Sequence, residues 1–253
     1  MKLIRFEREE KINFGIIQGD KVQALRGPPT EPLHLEELWP LGEVTLLAPI
    51  LPSKIIAVGL NYRGHAKELS LKTTSDEPLI FLKPPSALNG PEQPILLPEM
   101  SQRVDFEGEL AVVLGQRAKN LSEAEASKAI LGYSCFNDVT ARDLQFKDVQ
   151  FTRAKAFDTF ACLGPWIETE LDPKDLKIET RVNGEVKQSA RTSEMVFSVP
   201  RILSFISRIM TLEAGDVVIT GTPSGVGPLE NGDTVEVTIE GIGTLSNPVL
   251  HVE

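Results

Sequence analysis

The chain has 253 residues, 41% of them apolar and 25% charged. That balance excludes a disordered polymer, and the length suits one large domain, alone or with a small appendage. The formal net charge of −10 repels phosphate backbones, so nucleic acid is not an expected partner.

No run of residues approaches the roughly 18 consecutive apolar positions of a membrane-spanning helix. The N-terminus, MKLIRFEREEK, lacks the apolar core and cleavage site of a signal peptide. We expect no membrane association and a cytoplasmic location. Cys135 and Cys162 form no CxxC pair and read as buried thiols of a reducing compartment.

Lys2–Phe6, Phe14–Ile17 and Val22–Leu25 read as strands, with Gln18-Gly19-Asp20-Lys21 as a hairpin turn. Residues 27–52 are punctuated by Pro28, Pro29, Pro32, Pro40, Pro49 and Pro52. They predict a connector carrying at most a short helix near Leu35–Leu38. A boundary near residue 50 then separates a small N-terminal β-hairpin segment and connector (1–50) from the main domain (51–253). Lys54–Gly59 and Leu79–Leu82 are strands, and the polar stretch Ser70–Pro78 predicts a surface loop.

Ser122-Glu-Ala-Glu125 is a capping box whose helix is expected to stop at Gly132. Leu176–Val182 and Glu185–Gln188 flank an Asn183-Gly184 turn, a strong hairpin signal. Pro200–Met210 predicts an amphipathic helix with proline in its first turn. Asp216–Thr220 is a strand, and residues 233–252 supply two or three more. Many strands and few helices, without regular alternation, argue against a doubly wound parallel sheet and predict a strand-rich α+β fold.

The most informative segment is Val104-Asp-Phe-Glu-Gly-Glu-Leu-Ala-Val-Val-Leu114. If it is one strand, Asp105, Glu107 and Glu109 share a face at roughly 6.5–7 Å spacing. Like charges so placed repel by roughly 2–3 kcal/mol per pair at an effective dielectric near 20. A cation, basic side chains, solvent or raised pKa values must compensate. A second acidic cluster around Asp138 follows the apolar stretch Leu131–Phe136. Two carboxylates from one strand and one from a neighbour make an open, all-oxygen site suited to Mg²⁺, or to Mn²⁺, whereas zinc would call for clustered cysteines or a histidine pair.

Of the three histidines, His65 has a carboxylate, Glu68, three residues on. On a helical turn the two share a face, as an acid–base pair or as a surface pair. His34 and His251 lack such context and read as structural. Gly221-Thr-Pro-Ser-Gly225-Val-Gly227 has amides for an anionic group or is a plain turn. It matches neither a P-loop nor a dinucleotide fingerprint. Lys155 reads as a substrate-carboxylate partner or as a surface lysine.

Taken together, VGLNYRGHAKEL (58–69), PLIFLKP (78–84), VDFEGELAVVLG (104–115), FNDVTARDLQ (136–145), RAKAFDTFACLGP (153–165), RVNGEVKQ (181–188), TSEMVFSVP (192–200) and TLEAGDVVITGTPSGVGP (211–228) resemble the fumarylacetoacetate hydrolase family. The resemblance covers most of residues 54–228. It implies a catalytic domain of layered mixed β-sheets in a homodimeric, magnesium-dependent enzyme, with manganese as an alternative ion, acting on a small 2-oxo acid. It assigns the metal to Glu107, Glu109 and Asp138, the acid–base dyad to His65 and Glu68 on a short lid, and a lysine beside the metal to Lys155. Arg142, Gln145 and Thr222 match positions that contact or orient substrate. The short chain points to the smaller bacterial-type members. The expected reaction is isomerisation or decarboxylation of a 2-hydroxy-diene-dioate such as 2-hydroxyhepta-2,4-diene-1,7-dioate. Acylpyruvate hydrolysis, oxaloacetate decarboxylation or tautomerisation, and a metal-binding homologue without catalysis are the alternatives.

Overall fold

Strand Gly108–Leu114 is the hub of the fold, and every residue in it is buried. Its pattern GELAVVL carries apolar residues on both faces, as a central strand requires. Leu110, Val112 and Leu114 enter one hydrophobic core, while Ala111 and Val113 enter a second core on the opposite face. Burying such side chains contributes roughly 1.5–3 kcal/mol each for the larger ones. A computed structural model describes residues 1–31, 35–68 and 76–252. The loop expected over Ser70–Pro78 falls mainly outside them, and so does His34.

The hub strand belongs to a twelve-stranded sheet. On one side it pairs antiparallel with Ile130–Asp138, which pairs in turn with Ala161–Glu168. On the other side lies Val217–Ile219, followed by Ile55–Gly59 in parallel and Leu79–Lys83 at the edge. The N-terminal strands Lys2–Arg8, Lys11–Gln18 and Lys21–Leu25 extend this sheet, because Lys2–Arg8 pairs with Ala161–Glu168. The Gln18–Lys21 hairpin forms as expected, with Gly19 at φ 64°.

A five-stranded sheet packs against the first core in the order Glu185–Arg191, Lys177–Val182, Thr234–Ile239, Gly243–His251, Ile95–Leu97. Its Asn183-Gly184 turn has φ 53° and 80°, the paired positive values of a type I′ hairpin. A third sheet joins Thr140–Ala141, Val104–Phe106 and Gly227–Pro228.

Among the described residues there are five α-helices: α1 (Arg63–Glu68), α2 (Glu123–Ala126), α3 (Arg142–Lys147), α4 (Thr152–Lys155) and α5 (Val199–Ile209). Helix α5 carries the expected early proline and buries Ile202, Leu203 and Ile206 in the first core. None is long and apolar enough to cross a membrane.

Three local expectations are corrected. Leu35–Pro40 is a strand rather than a helix, paired with Lys21–Leu25. Trp39 there meets Phe6 edge-on at 5.8 Å, and tertiary pairing outweighs local propensity. The capping box of Ser122 and Glu125 is present, but α2 ends at Ala126 and a strand begins at Ile130. Gly132 therefore lies inside a strand, where a Cβ would sit 2.5 Å from the Glu168 carbonyl oxygen. Finally, Val104–Leu114 is two strands in two sheets, broken at Glu107.

Candidate active site

The break at Glu107 shapes the site. Asp105 does not join Glu107 and Glu109 in one row. It is fully buried and accepts from Arg103 Nε at 2.9 Å and Arg142 Nε at 2.8 Å. Glu107 and Glu109 instead converge with Asp138, the last residue of its strand. One carboxylate oxygen from each lies within 4.8 Å of the others, and all three are buried. The Glu107-Gly108-Glu109 backbone is held from several sides. Asn137 Oδ1 accepts from Glu107 N, Gln188 Oε1 accepts from Gly108 N, and Thr222 Oγ1 donates to the Gly108 carbonyl at 2.9 Å.

Gly108 itself is required by close packing. A Cβ at this position would lie 2.1 Å from Thr180 Oγ1. Gly108→Ala should therefore cost roughly 1–3 kcal/mol of stability and, by displacing both flanking glutamates, weaken Mn²⁺ binding at least tenfold. Denaturant unfolding and a Mn²⁺ titration would check both.

Cations frame the carboxylates. Lys155 Nζ lies 2.8 Å from Glu107 Oε2 and 2.6 Å from Asp138 Oδ2, with the ammonium buried between them. Arg142 Nη2 donates to Glu107, and its Nη1 donates to Gln145. Lys83, a fully buried lysine at the end of its strand, donates to Asp138. Burial would raise the Glu107 carboxyl, but Lys155 and Arg142 outweigh it and hold the group well below the usual range. Glu109 goes the other way. Burial, then Asp138 and Glu107, push it well above its ordinary value, with Lys155 and the Gly221 N–H opposing. Among the described residues Glu109 forms no ion pair of its own. An all-oxygen donor set with one such carboxylate fits a hard divalent cation.

His65 and Glu68 share one face of α1 and touch. His65 is 4% exposed, and its Nδ1 lies 3.2 Å from Glu68 Oε2. Glu68 also accepts from Gly225 N at 3.1 Å. The glycine-rich loop does hold anionic groups with its amides, but they are the chain's own: Glu68 through Gly225 and Glu109 through Gly221.

Of the residues singled out from the sequence, His65, Glu107, Glu109, Asp138, Arg142, Gln145, Lys155 and Thr222 line one cavity of about 350 Å³, with Glu68 behind His65. Its remaining wall includes Leu79, Phe81 and Phe151. His251 is exposed on the last strand, away from this cavity. Both cysteines are free and buried, and burial pushes each thiol up to about 12. Sequence reading missed Lys83, Asn137 and Gln188. Only Lys83 carried a local signal, a lone charge closing the apolar run LIFLK.

The family profile described as fumarylacetoacetate (FAA) hydrolase, C-terminal, matches residues 54–250. The chain belongs to the fumarylacetoacetate hydrolase family. A second profile, Rv2993c-like, N-terminal, matches residues 1–49 of this family member. It is similar to the oxaloacetate tautomerase YisK of Bacillus subtilis, at 43% identity over 84% of this chain and 75% of that one. Its structure resembles that of 2-hydroxyhepta-2,4-diene-1,7-dioate isomerase from Mycobacterium marinum, with TM-score 0.92 and 48% identity over 99% and 98% of the two chains. It also resembles maleylpyruvate hydrolase from Sphingobium sp. SYK-6, solved with manganese(II) and pyruvate, with TM-score 0.83 and 29% identity over the full length of both.

Proposed function

We propose that this chain is a magnesium-dependent enzyme that shifts a proton on a small 2-oxo dicarboxylate, interconverting keto, enol and conjugated isomers. The observation that carries this reading is the shared cavity: a histidine oriented by a carboxylate faces three converging carboxylates suited to a hard cation. Glu107, Glu109 and Asp138 would hold Mg²⁺, with Mn²⁺ as a substitute. When bound, such an ion supplies a Lewis acid that stabilises negative charge on the substrate's 2-oxo oxygen.

The chain's own groups do the rest. Glu68 holds His65 at Nδ1, leaving Nε2 to take a proton from the carbon beside the 2-oxo group and return it elsewhere on the conjugated system. Gly225 N fixes Glu68 and, through it, the ring. Lys155 and Arg142 are buried cations at the carboxylate end of the cavity. Asp105, Glu107, Glu109 and Asp138 are balanced in charge by Arg103, Arg142, Lys83 and Lys155. A divalent ion would leave two positive charges in excess, the complement of a dicarboxylate. The isomerase and the tautomerase among the similar proteins support the same chemistry.

The test is a panel of oxaloacetate, acetylpyruvate and 2-hydroxyhepta-2,4-diene-1,7-dioate assayed with Mg²⁺, then with EDTA, then with Mg²⁺ restored. We expect tautomerisation or isomerisation of a dicarboxylate, a fall of at least a hundredfold with EDTA, and recovery. Turnover unaffected by EDTA would defeat the reading, as would pyruvate release from acetylpyruvate as the dominant activity.

A further inference from the structure

Strand Glu185–Arg191 lies at the edge of the five-stranded sheet, far from the metal triad in sequence, and Gln188 is its one fully buried side chain. It faces inward with Ala190, opposite the buried Thr180 and Ile178. Thr180 pairs with Gln188 and Arg181 pairs with Val186, leaving Lys187 as an extra residue. Bulges bend a strand and re-aim side chains. This one turns Val186 outward, so Gln188 is the last inward side chain before the hairpin, and it lies beneath the candidate active site.

There the amide is fully used. Gln188 Oε1 accepts from Gly108 N at 3.0 Å, while Nε2 donates to Thr222 Oγ1 at 2.8 Å and to the Pro223 carbonyl at 2.8 Å. The oxygen and nitrogen cannot be exchanged, because Gly108 N can only donate and the Pro223 carbonyl can only accept. The first contact is to the peptide between Glu107 and Glu109. The other two are to the loop whose Gly221 and Gly225 amides hold Glu109 and Glu68. The bulge also touches that loop directly, since a Cβ on Gly225, at φ +98°, would lie 2.1 Å from the Lys187 carbonyl oxygen.

We propose that Gln188 is a positioning residue that ties the carboxylate triad to the loop anchoring the His65–Glu68 dyad, and so sets the spacing between metal and proton carrier. It touches neither group itself and acts through Gly108, Thr222 and Pro223. The role rests on the metal reading given above. Groups that orient metal ligands from behind typically contribute 10–100-fold in metal affinity or activity.

Gln188→Met keeps the length and removes all three hydrogen bonds. Gln188→Glu keeps an acceptor for Gly108 N and removes both donors. For Gln188→Met we expect about tenfold weaker Mn²⁺ binding by electron paramagnetic resonance and a 10–100-fold lower kcat. We also expect at least tenfold faster amide hydrogen exchange across residues 221–227. For Gln188→Glu we expect nearly normal Mn²⁺ binding, with kcat and loop exchange still altered and KM changed less than kcat. A purely structural role would instead lower the active fraction and the melting temperature while leaving Mn²⁺ affinity and kcat per occupied site unchanged. Exchange across 221–227 within twofold of the parent in both variants would overturn the proposal. If the parent protein itself binds no Mn²⁺, the metal reading falls, and the exchange rates alone decide whether Gln188 ties the loop. Should Gln188→Met fail to fold, Gln188→Glu supplies the same readouts.

Discussion

Glu109→Gln should make the ion-free protein more stable while abolishing its response to divalent cations. The Glu109 carboxylate is 2% exposed and close to Glu107 and Asp138. It receives the Gly221 N–H at 2.6 Å, and among the described residues no ammonium or guanidinium pairs with it. Burial and the two neighbouring charges raise its carboxyl well above the ordinary range. An amide keeps the acceptor for Gly221 and turns donors toward the other two carboxylates, at the same volume. Removing this poorly compensated charge should stabilise the ion-free protein by about 1–2 kcal/mol, or about 2–8 °C in melting temperature for a chain of this size.

The sign with pH follows from the raised value. The folded protein holds the Glu109 proton more tightly than the unfolded chain does. Its stabilising contribution is therefore complete below the unfolded carboxylate range and is lost as pH rises through the folded value. In EDTA, the stability gap between Glu109→Gln and the parent should thus be small near pH 4 and widen toward neutrality. With Mg²⁺ at a hundred times its dissociation constant, the parent should gain about 2.7 kcal/mol and the variant almost nothing, with turnover down about a thousandfold or more. Glu107→Gln provides the contrast. It takes one of two carboxylate partners from each of Lys155 and Arg142 in a buried site, leaving Asp138 and Asp105 to hold them, and should destabilise by about 3 kcal/mol. Calorimetric melts in EDTA and in Mg²⁺ distinguish the two, and a Glu109→Gln protein that melts lower than the parent in EDTA and keeps the Mg²⁺ shift would refute the metal assignment.

The contrast between those glutamates was not readable from VDFEGEL, although their closeness to one another was. Period-2 spacing and the apolar continuation LAVVL mark a buried strand bearing acids, and Gly59-to-Glu68 shows a histidine and a carboxylate one helical turn apart. Local rules carry such features because their partners lie within a few residues. The same holds for the Asn183-Gly184 hairpin, the α5 helix and the Ser122 capping box. What escaped depends on distant partners. Leu35–Pro40 becomes a strand because Lys21–Leu25 offers it an edge. The row of acids breaks at Glu107 because Val104–Phe106 joins a different sheet from Gly108–Leu114. Lys83 meets Asp138 from 55 residues away and Gln188 meets Gly108 from 80. FLKPP and EVKQS do not name those partners, and the bulge at Lys187 turns the apolar Val186 outward while Gln188 faces in.

His65→Ala should remove proton transfer and leave ion binding in place. The ring is almost wholly buried, its Nδ1 is occupied by Glu68, and it shares the cavity with Glu107, Glu109 and Asp138. It donates to none of the three and stands on α1, outside the sheets that position them. Truncation should therefore leave Mn²⁺ affinity within about twofold while kcat falls by about 10²–10⁴, the usual contribution of a positioned acid–base group. Glu68→Gln should cost less than His65→Ala, because an amide can still meet Nδ1 and Gly225, yet it no longer supports the imidazolium formed when the ring takes a proton. The decisive readout is exchange of the C3 hydrogen of a 2-oxo dicarboxylate in deuterated water, followed by NMR with Mg²⁺ present. In the parent, exchange should be fast and dependent on both the ion and the histidine. In His65→Ala it should drop in parallel with turnover, because both processes pass through the same proton at Nε2. If C3 exchange persisted at the parental rate in His65→Ala, the proton carrier would have to be another group lining the cavity, with Lys155 the first to be tested.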